Sequence, residues 1–454
     1  MTTLDKSLAE LAGRIRGQLI TPSDAAYDTA RQSFNATVQR RPAAIARCLD
    51  AGDVVTALGM AREAGLSISV RGGGHNVAGH ALIDDGLVID LSPMRAVIVD
   101  PETRVARAGG GCRWLDFDTV TLQHGLATPG GTFVDTGIGG LTLGGGIGWL
   151  HGTAGLTCDN LIGAELVTAD GRVVEAADDP ELLWGLRGGG GNFGVVTRFD
   201  YRLHAVGPLQ GGNLVFAESA IPAALRRFRD VMAGAPDALY GVATLTHRVD
   251  NGERILKLTL CDQRPAGPAA ATRRELVKGL DLLADETGER SYAAMQALMG
   301  QLPFGLRHYW KGYFVRELPD SLTDVIAARF AQNPGPVGAM LLEPLHGVTR
   351  RIPPQSAAFG QRHAAFNVSA LAIWESPDDD AAHIAWARSA AEALVPYATT
   401  GGGYLNYMGH DEPVERVRAA FGAERFARLA QLKARYDPSN VFRSNQNVPP
   451  GVAV

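Results

Sequence analysis

The chain has 454 residues, 46% of them apolar and 20% charged, with 43 basic against 48 acidic side chains and a net charge of −5. This is the composition of a globular protein with a sizeable core, enough for about three domain-sized units or one large bilobal enzyme. The acidic balance and the lack of any basic run exclude nucleic acid or an anionic membrane as the main partner, and no apolar run approaches the roughly 18 residues needed to span a bilayer.

The first eight residues lack the basic-then-apolar pattern of a secretory leader. Leu8, Leu11, Ile15 and Leu19 fall at helical spacing and predict an amphipathic helix over 5–20. Residues 43–65 alternate Ala, Ile and Leu with polar positions and predict two short helices. β-like runs follow at 66–70, 86–91, 96–100 and 104–108, then at 161–168 and 194–203. The helices between them are short, so this part reads as α+β and not as a regular βαβ repeat.

Three glycine-rich blocks punctuate these runs. The first, Arg71-Gly72-Gly73-Gly74-His75-Asn76 with Gly79 and His80, follows the 66–70 strand. It lacks the spacing and the directly following helix of a Rossmann fingerprint. By itself it is either a plain turn or a backbone cradle that turns N–H groups onto a ligand and sets His75 behind it. In the second, residues 137–149, six of the first ten positions are glycine, which predicts neither a good helix nor a good strand interior. Its interleaved Ile138, Leu141, Leu143 and Trp149 mark it as ordered. The third, Arg187 to Thr197, runs into a Val-rich strand. Together the three favour one large ligand lying across several loops.

From about residue 206 the glycine clusters stop. Strands are predicted at 239–247, 254–262, 307–315, 337–343 and 365–374, with helices near 220–233, 270–287, 320–331 and 379–393. This reads as an antiparallel sheet covered by helices. A last helix over 415–436 ends at Asp437-Pro438. Cys48, Cys112, Cys158 and Cys261 are widely spaced and form no CxxC pair, which points to buried reduced thiols in a cytoplasmic protein.

Taken together, these blocks resemble the berberine-bridge-enzyme-like branch of the vanillyl-alcohol-oxidase flavoproteins, bacterial members included. The resemblance is carried by Arg71–His75, Gly139–Trp149, Gly155–Asn160 and Gly190–Gly194. At the other end of the chain it is carried by Tyr404-Leu405-Asn406-Tyr407 and by Lys433 to Asn447. It covers roughly residues 30 to 448 in the right order, and the motifs are specific as a set. The resemblance implies a two-part, PCMH-type FAD-binding domain over 1–205, a substrate domain over 206–400 and a segment over 401–454 that returns to the FAD domain.

It also implies a cofactor site. Arg71, Gly72, Gly73, Gly74 and His75 would hold the FAD diphosphate, and Asn76, Gly79 and His80 would bind the cofactor beside them. Thr136, Gly137, Gly139, Gly140, Gly144, Gly145, Gly148, Trp149, Asn160, Gly194 and Val195 would complete the site, with Tyr404, Asn406, Asn445 and Asn447 from the C-terminal segment. His75 would bond covalently to the flavin 8α-methyl group, as a neutral imidazole can near pH 7. Many relatives add a second bond from a cysteine four residues before the Gly-x-Gly-Gly block. Phe133 stands there, so attachment is expected through His75 only, and Cys112 is expected to be a packed thiol. Thr136 stands where the family places the residue that gates oxygen, and its small size favours O2 as acceptor.

The implied activity is hydride transfer from a small organic substrate to FAD, giving H2O2. The alternatives are an oxygenating flavoprotein of secondary metabolism and a flavin-containing drug-binding protein. The family motifs do not specify the base. Tyr309, Lys311 and Tyr313 share one strand face, where Lys311 either makes a tyrosinate base or is a solvent-facing lysine. Tyr407 is a candidate base or orienter. Asp135 is either an acid–base group in the same pocket or a solvated loop carboxylate. Glu343 and His346 either reach the cavity from the sheet or simply mark a turn. The molecule is expected to act as a monomer or homodimer, without nucleic acid, membrane or metal.

Overall fold

The computed structural model describes residues 3–301 and 304–451; the first two and last three residues of the expected segments lie outside them. The strands form three main sheets. In the first, Gln18–Ile20, Ala44–Arg47, Leu87–Asp90 and Ile68–Arg71 lie side by side in that order, and the last three are mutually parallel. The second is antiparallel and runs Val97–Asp100, Val105–Gly109, Val195–Arg202, Leu161–Val167, Val173–Glu175.

The third and largest sheet is antiparallel throughout. Its order is Leu282–Asp285, Leu209–Ala217, Arg254–Asp262, Leu239–His247, Ala339–Pro344, Phe366–Trp374, Arg307–Val315. Helices Ile221–Ala233, Ala266–Val277, Asp320–Ala331 and Asp380–Glu392 cover one face. Their Phe228, Ile326, Phe330 and Trp386 pack into one core with Leu245, Leu258, Met340, Leu342 and Ala370 of the sheet. The opposite face carries Tyr240, Val242, Leu341 and Phe314, which pack instead with Trp149 and Tyr404 of the glycine-rich part. Strand alternation thus commits one face to the helices and the other to the glycine loops.

Several expectations change. The N-terminal helix stops at Arg14, and Leu19 lies in a strand. The Asp53 carboxylate accepts the N–H groups of Arg16 and Gly17 at 2.7 and 3.0 Å, which draws the backbone out of helix and into the sheet. In place of two helices over 43–65 there is a buried strand and then helix Ala51–Glu63, capped by Asp50. A short apolar run such as Ala44–Arg47 has no periodicity to separate strand from buried helix. The helix predicted over 270–287 ends at Val277, and the glycine-bearing strand Leu209–Ala217 was not foreseen. Helix 415–436 is two helices, Val414–Phe421 and Ala423–Tyr436, broken at Gly422 with φ +82°. The second glycine block does contain a helix, Ile138–Leu143, docked through buried Ile138 and Thr142. No helix of the described residues is long and apolar enough to cross a membrane.

Candidate active site

A cavity of about 300 Å³ lies between the glycine-rich part and the third sheet. Strand Ile68–Arg71 delivers the first glycine block to it. Gly72, Gly73, Gly74, His75, Asn76 and His80 line the wall, joined by Thr136, Gly137, Gly139, Gly140 and Gly144. The two blocks touch directly: a Cβ on Gly73 would sit 2.4 Å from the Gly137 Cα, closer than any side chain can come. Gly194, Tyr404, Asn406 and Asn445 complete the expected set that reaches the cavity.

The remaining expected residues support the wall from outside. Arg71 donates to the Ala30 carbonyl at 2.5 Å and braces Gly74 from behind. Gly79, at φ +74°, lets the loop pass Val38. Gly145 and Gly148 give close backbone packing against Phe359 and Gly130. Trp149 is buried edge-on to Tyr240. Asn160 donates to the Ala154 and Leu156 carbonyls, Val195 of the second sheet packs into the core shared with the first, and Asn447 lies outside the lining.

His75 is held on two sides. Its Nε2 lies 3.0 Å from Asp135 Oδ2, and its ring stacks on Phe34 at 4.6 Å. With the carboxylate as acceptor, Nε2 carries the proton and Nδ1 is the free basic nitrogen. Asp135 is buried, not solvated, and its Oδ1 has no partner among the described residues. Phe133 lines the cavity, whereas Cys48, Cys112, Cys158 and Cys261 are buried elsewhere.

The C-terminal segment closes the site. The Tyr404 hydroxyl accepts from the Gly146 and Ile147 amides at 3.0 and 3.3 Å and from Asn406 Nδ2 at 2.9 Å. Asn406 in turn donates to the Leu141 carbonyl at 3.1 Å, and Asn445 to that of Gly191 at 3.0 Å. Lys433, fully buried, donates to Asp437 and to the Asn192 and Phe442 carbonyls, which ties the last helix to the third glycine block.

Trp310, Leu341, Leu371, Ile373 and Tyr407 form the side facing the third sheet. Tyr407 meets Trp310 edge-on at 5.4 Å and donates its hydroxyl to Glu343 Oε1 at 3.2 Å. Asn367 donates to the other Glu343 oxygen at 2.8 Å. Burial pushes the Glu343 carboxyl up to about 7, against those two hydrogen bonds. Burial and the Glu343 charge hold the Tyr407 phenol well above its ordinary range. None of the described residues lining the cavity is Lys, Arg, Asp or Glu.

Lys311 and Tyr313 are not brought to the cavity. They share a face with Tyr309 as expected, but it is the helix-covered face. Lys311 Nζ lies 3.0 Å from Glu412, and Tyr313 accepts from Arg416. Alternation shows which residues face together, not which side faces the ligand, so Trp310 was missed. His346 packs against His151 and Tyr240, away from the lining.

Comparison with known proteins gives this geometry its family. Family models described as "FAD binding domain" and "Berberine and berberine like" match residues 42–177 and 403–449. The chain is 34% identical over 453 residues to (R)-6-hydroxynicotine oxidase of Paenarthrobacter nicotinovorans, covering 96% of this chain and 97% of that one. The chain belongs to the berberine-bridge-enzyme-like FAD-linked oxidoreductases. An FAD-linked oxidoreductase of Dictyostelium discoideum is 30% identical over 428 residues, covering 92% of this chain and 91% of its own. The crystal structure of 6-hydroxy-D-nicotine oxidase from Arthrobacter nicotinovorans superposes with a TM-score of 0.88 at 30% identity, over 96% of this chain and 98% of that one. The protein is an FAD-dependent oxidase of α+β, PCMH-type fold, acting on a small molecule.

Proposed function

We propose that this oxidase removes a hydride from an amine or alcohol carried on an aromatic or other apolar scaffold, with Tyr407 and Glu343 taking the accompanying proton. The observation that carries this reading is the Tyr407–Glu343 hydrogen bond behind an uncharged wall of Trp310, Leu341, Leu371 and Ile373. A sugar would need polar partners for its hydroxyls, and this wall offers few. The hydroxynicotine oxidase similarity supports the same class of scaffold.

The residues fit FAD. Gly72, Gly73, Gly74, Gly137, Gly139, Gly140 and Gly144 line the cavity, and Gly140 has nothing within 4 Å of where a Cβ would stand, so a diphosphate would meet bare backbone in a wall without cationic side chains. When bound, FAD supplies the hydride acceptor and its reoxidation by O2. His75, with Nε2–H donated to Asp135, presents Nδ1 as the nucleophile for a single covalent link. Phe133 removes the option of a second link through sulfur. Thr136, beside Gly137, leaves space for O2. Residues 1–205 and 401–454 act as the cofactor-holding part and 206–400 as the substrate part. Four buried, unpaired thiols are in keeping with the cytoplasm, and the chain would act as a monomer or homodimer.

The test is H2O2 release by the holoenzyme from N-methylbenzylamine, racemic 6-hydroxynicotine, benzyl alcohol, glucose and xylobiose. Preference for the aromatic compounds is expected, and preference for either sugar would contradict the substrate reading.

A further inference from the structure

Asp135 stands where a carboxylate has little support. Backbone bonds fix its place: the Leu115 amide donates to the Val134 carbonyl at 2.8 Å, and the Trp114 amide to that of Thr136 at 3.0 Å. Its side chain is 8% exposed, and its single hydrogen bond among the described residues is the one to His75 Nε2. No Lys or Arg of the described residues pairs with it. His75 is equally enclosed, with Phe34 stacked on its ring and Phe304 edge-on at 5.9 Å. Burial pushes His308, on the other face of Phe34, down to about 3, so it brings no positive charge either.

A neutral imidazole thus faces a buried carboxylate that lacks a cation, and a buried charge is costly until it is paired. Joining a carbon to Nδ1 changes this. The ring keeps its Nε2 proton and becomes an imidazolium, and the contact becomes an ion pair with a charge-assisted hydrogen bond. An interaction that strengthens as a bond forms lowers the barrier to forming it.

We propose that Asp135 is the positioning residue for covalent flavin attachment: it holds the His75 proton on Nε2, leaves Nδ1 free to attack the flavin 8α carbon, and stays as counter-ion of the linked imidazolium. Asp135 has this role only if the His75 link proposed above exists. In the step, the Nδ1–C8α bond forms and one C8α–H bond breaks. That hydrogen leaves as a proton, and its electron pair passes through the flavin to O2. The O2 takes this proton and one from solvent and becomes H2O2. His75 neither gains nor loses a proton, so the linked ring carries one positive charge, which the Asp135 carboxylate balances. The 3.0 Å contact serves both states without movement of either side chain.

Intact masses of the full chain, purified at intervals after induction, test this. The fraction heavier by one FAD is followed beside the visible absorbance, which counts all bound flavin. In Asp135→Asn the attached fraction is expected to grow about 10- to 100-fold more slowly than in the wild type, as loss of a hydrogen bond to a charged group implies, while the protein stays yellow. Asp135→Glu, which keeps the charge, should recover part of the rate, which a packing defect would not permit. NMR of the wild-type flavin peptide should show the linkage at Nδ1, a readout that needs no variant to fold. Attachment in Asp135→Asn at the wild-type rate would overturn the role, as would a linkage through Nε2. A wild type whose flavin all dissociates on denaturation would instead remove the covalent link itself, so the two failures are distinguishable.

Discussion

In the proposed reading three residues carry the chemistry on two sides of the cavity: His75 on the cofactor side, Tyr407 and Glu343 on the substrate side. A base must be deprotonated to act, and the Glu343 carboxyl sits at about 7. The expected kcat/KM therefore falls as pH drops through about 7. In Glu343→Gln that acid limb should vanish and kcat/KM should fall by about 10²- to 10⁴-fold with FAD content unchanged. A limb that survives in this variant would place the base elsewhere. On the other side, Gly73→Ala puts a methyl where Gly137 already lies. The expected product is folded protein with little flavin, read from the ratio of visible to ultraviolet absorbance; full flavin loading would show that the loops can part.

Two elements tie the parts together, and each gives a stability prediction. Helix Ala423–Tyr436 is pinned through the fully buried Lys433–Asp437 pair. Leaving one charge of such a pair unpartnered costs about 3–5 kcal/mol, so Asp437→Asn should lower the urea midpoint by that equivalent, and an unchanged midpoint would show the pin to be dispensable. Helix Trp114–Thr121 meets the substrate part through Gln296, which donates to buried Asp118 at 2.9 Å and to the Gly131 carbonyl at 3.3 Å. Burial raises the Asp118 carboxyl to about 7, above an unfolded value of about 3.9. The native state thus binds this proton more tightly. Its stabilising contribution is full below the unfolded value and lost as pH rises through about 7. Thermal melts should show the wild type losing stability relative to Asp118→Asn between pH 5 and 8; parallel curves would contradict this.

For the molecule as a whole, what was legible in the sequence is what repeats or is spaced by local rules. Strands 239–247, 254–262 and 307–315 were readable to their ends because alternation and turn residues bound them. The loop from Gly72 to His75 was readable because only glycine permits such close approach. Orientation was not legible. Lys311 and Trp310 are neighbours on one strand, and only the helix layer decides which of them meets the ligand. Nor was the Tyr407–Glu343 bond, which joins residues 64 apart in the chain. The central claim is that these long-range contacts assemble a site for one FAD, bound covalently through His75. It is tested most directly by the intact mass and visible spectrum of acid-denatured protein. A yellow precipitate, heavier by one FAD and with the flavin on the His75 peptide, is predicted. A colourless precipitate at the bare polypeptide mass, from protein that was yellow before denaturation, would contradict it.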